Sequence, residues 1–232
     1  MRPTFLIHLL TLLLTPLALL GLAVRILLTP LFLEVEYRMP GFPDDPYGFT
    51  RAERLYWSRY ALNYLLNRED ISYLADLNFE DGRPLFNERE LRHMEDVKRV
   101  TQGALRVFYG ALGALILLGV AGRSGPAQQA FRSGLKRGGW LVVGLAAIVG
   151  GIVALGMVAL PELFWAFFSG FHALFFEGDT WIFAYSDTLI RLFPLRFWQD
   201  AFLVASLIVL VAGLGLGIGI STDGRRGASD RV

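Results

Sequence analysis

The chain has 232 residues, 54% of them hydrophobic and only 19% charged, and its mean hydropathy is +0.46. That excludes a disordered chain and points away from an ordinary soluble domain. A near balance of 22 Lys+Arg against 21 Asp+Glu leaves a net charge of +1 and no footprint for nucleic acid. The absence of cysteine excludes disulfides, thiolate metal sites and a cysteine nucleophile. An all-α membrane protein is expected.

A helix needs about 20 mostly apolar residues to cross a hydrocarbon layer of ~30 Å, and four stretches are long enough. The first span is expected at 5–33, interrupted by Pro16, Arg25 and Pro30. Its apolar run far exceeds the ~7–15 residues of a signal peptide, so it reads as a retained span. The others are expected at 104–121, 140–160 and 201–220, the last ending in a glycine-alternating run that lets neighbours approach closely. The segment 122–139 carries Arg123, Arg132, Lys136 and Arg137 without an acid and reads as a basic cytoplasmic loop. Arg2 and the tail 221–232, with Arg225, Arg226 and Arg231, share that sign, so both termini are expected on the cytoplasmic side. The stretches 34–103 and 161–200 then lie outside, as a partly helical extracytoplasmic cap and an aromatic-rich loop.

Within 34–103, Tyr37 to Phe49 is rich in proline and glycine and reads as extended and turn-rich. Thr50 and Glu53 form a capping box that predicts a helix to about Asn67. Asp81-Gly82-Arg83-Pro84 predicts a turn. Asn87 with Glu90 marks a second helix start, and the helix from Glu88 is expected to run on into the second span. Arg92–Asp96 and Glu95–Arg99 are i,i+4 pairs that would support it.

Three histidines are the candidates for chemistry. His8 stands among leucines in the first span, where a structural partner suffices. His93 lies in the charged run before the second span, where a solvated position is the plain alternative. His172 follows the third span, in a loop holding thirteen of the chain's 31 aromatic residues between Phe164 and Trp198. Interfacial anchoring explains part of that enrichment. An imidazole in such surroundings must be hydrogen-bonded or used. Arg25 is an ionised group in an apolar run, suited to an anionic or carbonyl group, or to snorkelling toward the headgroups; Arg106 invites the latter. Asp96 shares a helix face with His93 and could orient it, or could pair with Arg92. No His-x-x-x-His or G-x-S-x-G pattern occurs, so metal and serine-triad readings have no support.

The block Leu91-Arg92-His93-Met94-Glu95-Asp96-Val97-Lys98, with Phe171-His172-Ala173-Leu174-Phe175-Phe176 and Trp181-Ile182-Phe183, resembles the lipoprotein intramolecular transacylase (Lit) family of bacterial membrane proteins. The resemblance implies a cofactor-independent acyltransferase of the bacterial cell membrane. Its catalytic histidines fall on His93 and His172, in a ring-rich site that includes Phe175, Phe176 and Trp181, with Arg25 and Asp96 as orienting or substrate-binding groups. The implied substrate is a diacylated lipoprotein, whose sn-2 acyl chain moves to the α-amine of its N-terminal cysteine among membrane lipids. Which histidine is base and which acid stays open at this stage. A non-catalytic lipid- or protein-binding role and a lipid-ester hydrolase are the competing readings.

Overall fold

The computed structural model describes residues 3–178 and 180–220; Arg2 and the basic tail 221–232 lie outside the described residues. Its elements are helices, and among the described residues the only β feature is an isolated bridge between Asn78 and Pro84. Four helices are long and apolar enough to cross a bilayer: α1 (Pro3–Leu27), α5 (Glu88–Ala121), α6 (Gly125–Val158) and α9 (Leu195–Gly219). Shorter helices are α2 (Pro30–Glu36), α3 (Arg51–Leu66), α4 (Ser72–Ala75), α7 (Pro161–Phe175) and α8 (Thr188–Leu192).

The expected boundaries shift in three places. The first apolar run does not continue to residue 33, because α1 stops at Leu27 and Pro30 opens α2. Proline has no N–H to give a helix interior but suits a first turn, and the Thr29 hydroxyl accepts the Phe32 N–H at 3.3 Å to cap it. The segment 122–139, expected as a loop, is helical from Gly125, so Arg132, Lys136 and Arg137 ride on the first turns of α6. Pro126 suits an N-terminal turn there, and the following Ala, Gln and Leu favour the helix. The loop expected at 161–200 is in large part helix, comprising α7, α8 and the start of α9. Pro161 occupies the first turn of α7 for the same reason.

The chain divides into two compact units. The first, from 3–24, 105–151 and 203–220, is built on close helix contacts. Thr11 and Thr15 of α1 are fully buried and face Gly134 and Gly138 of α6. A Cβ at Gly134 would lie 2.6 Å from the Thr11 Cβ, and one at Gly138 2.7 Å from the Thr15 Cβ. Both positions repeat at i,i+4, the spacing that lets two helix backbones approach in lipid. Each threonine hydroxyl donates to a carbonyl one turn back, Thr11 to Ile7 and Thr15 to Thr11, both at 2.7 Å, which hides it from an apolar surrounding. His8 has its Nδ1 at 3.4 Å from the Ala130 carbonyl oxygen, a structural partner. Leu117, Ile148 and Val211 are 71%, 63% and 62% exposed, an apolar outer face that only lipid would favour.

The second unit, Arg25–Ala104 with Ile152–Phe202, has an aqueous-type core. Phe49, Tyr64, Leu74, Leu85, Phe86, Met94 and Leu192 are buried together. The Thr50–Glu53 capping box forms as expected at the start of α3. Asn87 caps α5 by accepting the Glu90 N–H at 3.1 Å while its own N–H is taken by the Glu90 carboxylate at 2.8 Å. The charge pairs along α5 differ from expectation: Arg92 reaches back to Glu88 at 3.8 Å, and Arg99 to Asp96 at 2.9 Å. Helical side chains lean toward the N-terminus, which brings each arginine over an acid that precedes it.

Replacing Gly138 by Leu should therefore drive a side chain into Thr15 and the Leu12 carbonyl. The expected result is a loss of about 1–3 kcal/mol, read as a lower thermal unfolding midpoint in detergent, while Gly144→Leu, where a Cβ meets nothing within 4 Å, leaves it nearly unchanged.

Candidate functional site

Two helices of the second unit present the histidines. His93 follows Glu90 by one turn on α5, ahead of the apolar portion of that helix, and is 8% exposed. His172 belongs to the last turn of α7, on a stripe with Phe164 and Phe168 that forms the helix's buried face. It is 6% exposed. The spacing i, i+4, i+8 puts those three side chains one above another. The two imidazole centroids are 6.4 Å apart, with ring planes 20° from parallel. One bridging atom with hydrogen bonds of ~2.9 Å on each side spans a comparable gap.

Aromatic side chains close around the pair. Phe176 lies 4.9 Å from His93 and 5.7 Å from His172. Trp181 lies 4.7 Å from His172, tilted by 32°. Phe175 is more peripheral, 43% exposed and in contact with Phe171 at 5.1 Å. Phe168 packs on His172 at 4.1 Å, and Phe183 meets His93 edge-on at 5.2 Å. Phe183 lies within the quoted Trp-Ile-Phe element and Phe168 one helical turn before His172, so i±4 spacing alone could have singled out the latter.

The polar contacts distinguish the two imidazoles. His172 Nδ1 lies 2.8 Å from the Phe168 carbonyl oxygen. A carbonyl can only accept, so Nδ1 carries the proton and Nε2 keeps its lone pair. His93 Nδ1 is buried with no hydrogen-bond partner. Burial pushes the His93 imidazole down to about 4, with His172 adding a smaller push in the same direction. Burial also lowers His172, and the Phe168 carbonyl partly offsets this. Both rings are thus neutral near pH 7, one as a free base and one with an unmet hydrogen-bonding nitrogen.

The remaining expected residues have other partners. The Asp96 carboxylate holds Arg99. Arg25 donates to the Leu28 carbonyl at 3.2 Å, satisfying the C-terminal end of α1. Glu90, by contrast, proves to be more than a cap. It is 1% exposed, burial raises its carboxyl to about 7, and its Oε1 accepts the Leu189 N–H at 2.6 Å. Asn87 donates to Asp187 at 3.2 Å, Thr188 donates to the Leu85 carbonyl, and Arg89 to the Ile182 carbonyl at 3.1 Å. These bonds fasten the segment holding Ile182 and Phe183 to the first turns of α5. Among the described residues no group of three or more His, Asp or Glu side chains could hold a metal ion.

A family model described as "Lipoprotein intramolecular transacylase Lit" matches residues 9–198. The chain is 30% identical over 211 residues, 90% of each chain, to a protein of Aquifex aeolicus (strain VF5) described as uncharacterized. Its fold is similar to that of the membrane integral lipoprotein intramolecular transacylase Lit from Bacillus cereus, with a TM-score of 0.70 at 18% identity over 94% of each chain. A single-substitution variant of that protein matches with a TM-score of 0.53 at 18% identity, over 94% of this chain and 91% of the other.

A neutral buried His93 takes up fewer protons in the folded than in the unfolded state, so its depressed value costs stability as pH falls from 6.5 toward about 4. His93→Phe, which fits a box of rings and removes the unpartnered nitrogen, should raise the unfolding midpoint at pH 5. The advantage over the parent should shrink by pH 7.5, where both forms are unprotonated at this position. Unfolding scans across that range test it.

Proposed function

The chain belongs to the lipoprotein intramolecular transacylase (Lit) family, and from that premise we propose that it moves the sn-2 acyl chain of a diacylglyceryl-modified lipoprotein to the α-amine of the same molecule's N-terminal cysteine. The product is the lyso form, and no cofactor is required. The observation that carries this reading is the buried His93–His172 pair, with centroids 6.4 Å apart and the tautomer of His172 fixed by Phe168.

His172 is the general base. The amine has a pKa of ~7.7–8.0, and only its free form attacks an ester. As nitrogen closes on the carbonyl carbon, an N–H proton passes to His172 Nε2. His93 is the electrophile: a neutral imidazole donates its N–H to the oxygen on which negative charge develops. When the C–O bond breaks, the imidazolium of His172 returns the proton to the departing glycerol oxygen. One C–N bond forms, one C–O bond breaks, and the protein regains its starting protonation. Each positioned proton transfer contributes on the order of 10²–10⁴ in rate.

The attack passes through a medium ring comprising the carbonyl carbon, ester oxygen, two glycerol carbons, sulfur, Cβ, Cα and nitrogen. Closing such a ring is entropically demanding, and effective molarities of about 10⁵–10⁸ M become accessible only when the ends are held in place. Phe176, Trp181 and Phe183 are suited to that confinement, and their apolar surfaces keep water from hydrolysing the ester. In the same reading the polar second unit faces the extracytoplasmic side of a bacterial cell membrane as a cap, with the basic ends inside.

With a purified diacylglyceryl lipopeptide, the expected product has the substrate's mass but an amide-linked acyl chain. His93→Ala and His172→Ala should each lower turnover at least 10²-fold. A gain of one water with free fatty acid would indicate hydrolysis instead, and full activity in both variants would refute the assignment. Because burial lowers the His172 imidazole, the enzyme's acid limb in kcat should fall below the ordinary ~6.5 of histidine, while kcat/KM keeps rising to about pH 8 as the amine deprotonates.

A further inference from the structure

A cleft of about 530 Å³ opens in the second unit, between the 47–53 segment, the 79–87 turn, the first turn of α5 and the start of α8. The histidine pair is not among its lining residues. Asn87 and Glu90 are, and they precede His93 on α5, so the cleft lies along that helix toward its polar start. The rise from Asn87 to His93 is about 9 Å. Two or three residues of extended chain, at ~3.3 Å each, cover that distance.

The lining suits a neutral polypeptide better than a charged small molecule. Phe49 and Phe79 stack at 5.9 Å and offer an apolar wall. The charged groups are already matched: Arg191 holds Asp45 at 2.9 Å, Arg83 holds Asp81 at 2.7 Å, and Glu53 caps Thr50. A phosphate or a nucleotide would find no unmatched cation among these. Gly48 has φ +104°, and a Cβ there would meet nothing within 4 Å, which leaves its backbone open to an approaching chain. A lipoprotein has one segment that must leave the histidines toward water, namely the polypeptide that continues from its acylated cysteine.

We propose that this cleft receives that polypeptide, holding the few extended residues after the cysteine while the acyl ester lies between the histidines. The assignment rests on the acyl-transfer reading above. It makes Ser186 and Arg83, at the cleft's edge, determinants of substrate affinity with no part in the chemistry. Ring closure also benefits, because a held peptide fixes the cysteine nitrogen.

The test compares two substrates in the full-length protein: S-diacylglyceryl cysteine amide, and the same group followed by four neutral residues such as Ser, Gly, Ala and Asn. The longer substrate should show a KM lower by roughly tenfold with a similar kcat. Ser186→Trp, which fills the cleft, and Arg83→Glu, an exposed substitution, should each bring its KM up toward that of the short one. A parent KM that does not depend on peptide length overturns the proposal, as does a length dependence that survives in both variants. Absence of transfer on both substrates in the parent overturns the acyl-transfer reading, and this assignment with it.

Discussion

Burial without charge is the condition on which the site depends. Two imidazoles 6.4 Å apart would repel one another if both were protonated, and a ring-lined interior gives an imidazolium nothing in exchange for lost water. The same burial that keeps them neutral makes them useful. A neutral base can accept an amine proton, and a neutral donor can meet an oxyanion. Wetter surroundings would stabilise the charged forms and admit the competing nucleophile at once.

The architecture around the pair serves that condition by fixing which surfaces can move. His172 is oriented from within its own helix, through the carbonyl one turn back. Phe183, and through Ile182 its neighbour Trp181, belong to a segment held to the first turns of α5 by Glu90, Asn87 and Arg89. Glu90 meets backbone N–H groups on both sides, so a single buried carboxyl both starts the helix that carries His93 and anchors the segment that walls it. Its raised value reflects burial outweighing those hydrogen bonds. Secondary structure, loop anchoring and the site are thus mechanically one assembly within this unit.

Much of this was legible in the sequence for identifiable reasons. Long apolar runs marked the four long helices, because no soluble fold asks for them. Thr50 with Glu53, and Asn87 with Glu90, are local signals whose partners are three residues away, so they formed as expected. Both histidines stood out as polar groups near apolar rings. What was hidden depended on nonlocal partners. Nothing near Glu90 shows that Leu189 will donate to it, and nothing near Asp96 shows that Arg99 rather than His93 will take its carboxylate. The basic stretch of α6 misled because charge suggested a loop, whereas Pro126 and the residues after it allow a helix to begin there. Lipid-facing and protein-facing apolar residues also look alike in composition, so Thr11, Thr15, Gly134 and Gly138 became recognisable as a seam only in three dimensions.

The unmet Nδ1 of His93 has a practical consequence for inhibitor chemistry. A buried polar atom without a partner costs about 1–3 kcal/mol, and that penalty is carried by the empty protein. A molecule that brings a matching polar group to this nitrogen, on a flat scaffold thin enough to slide among the rings, relieves a frustration already present. Its affinity would then exceed what its contact area suggests, and selectivity would come from the same atom, since an ordinary solvated histidine offers no such reward.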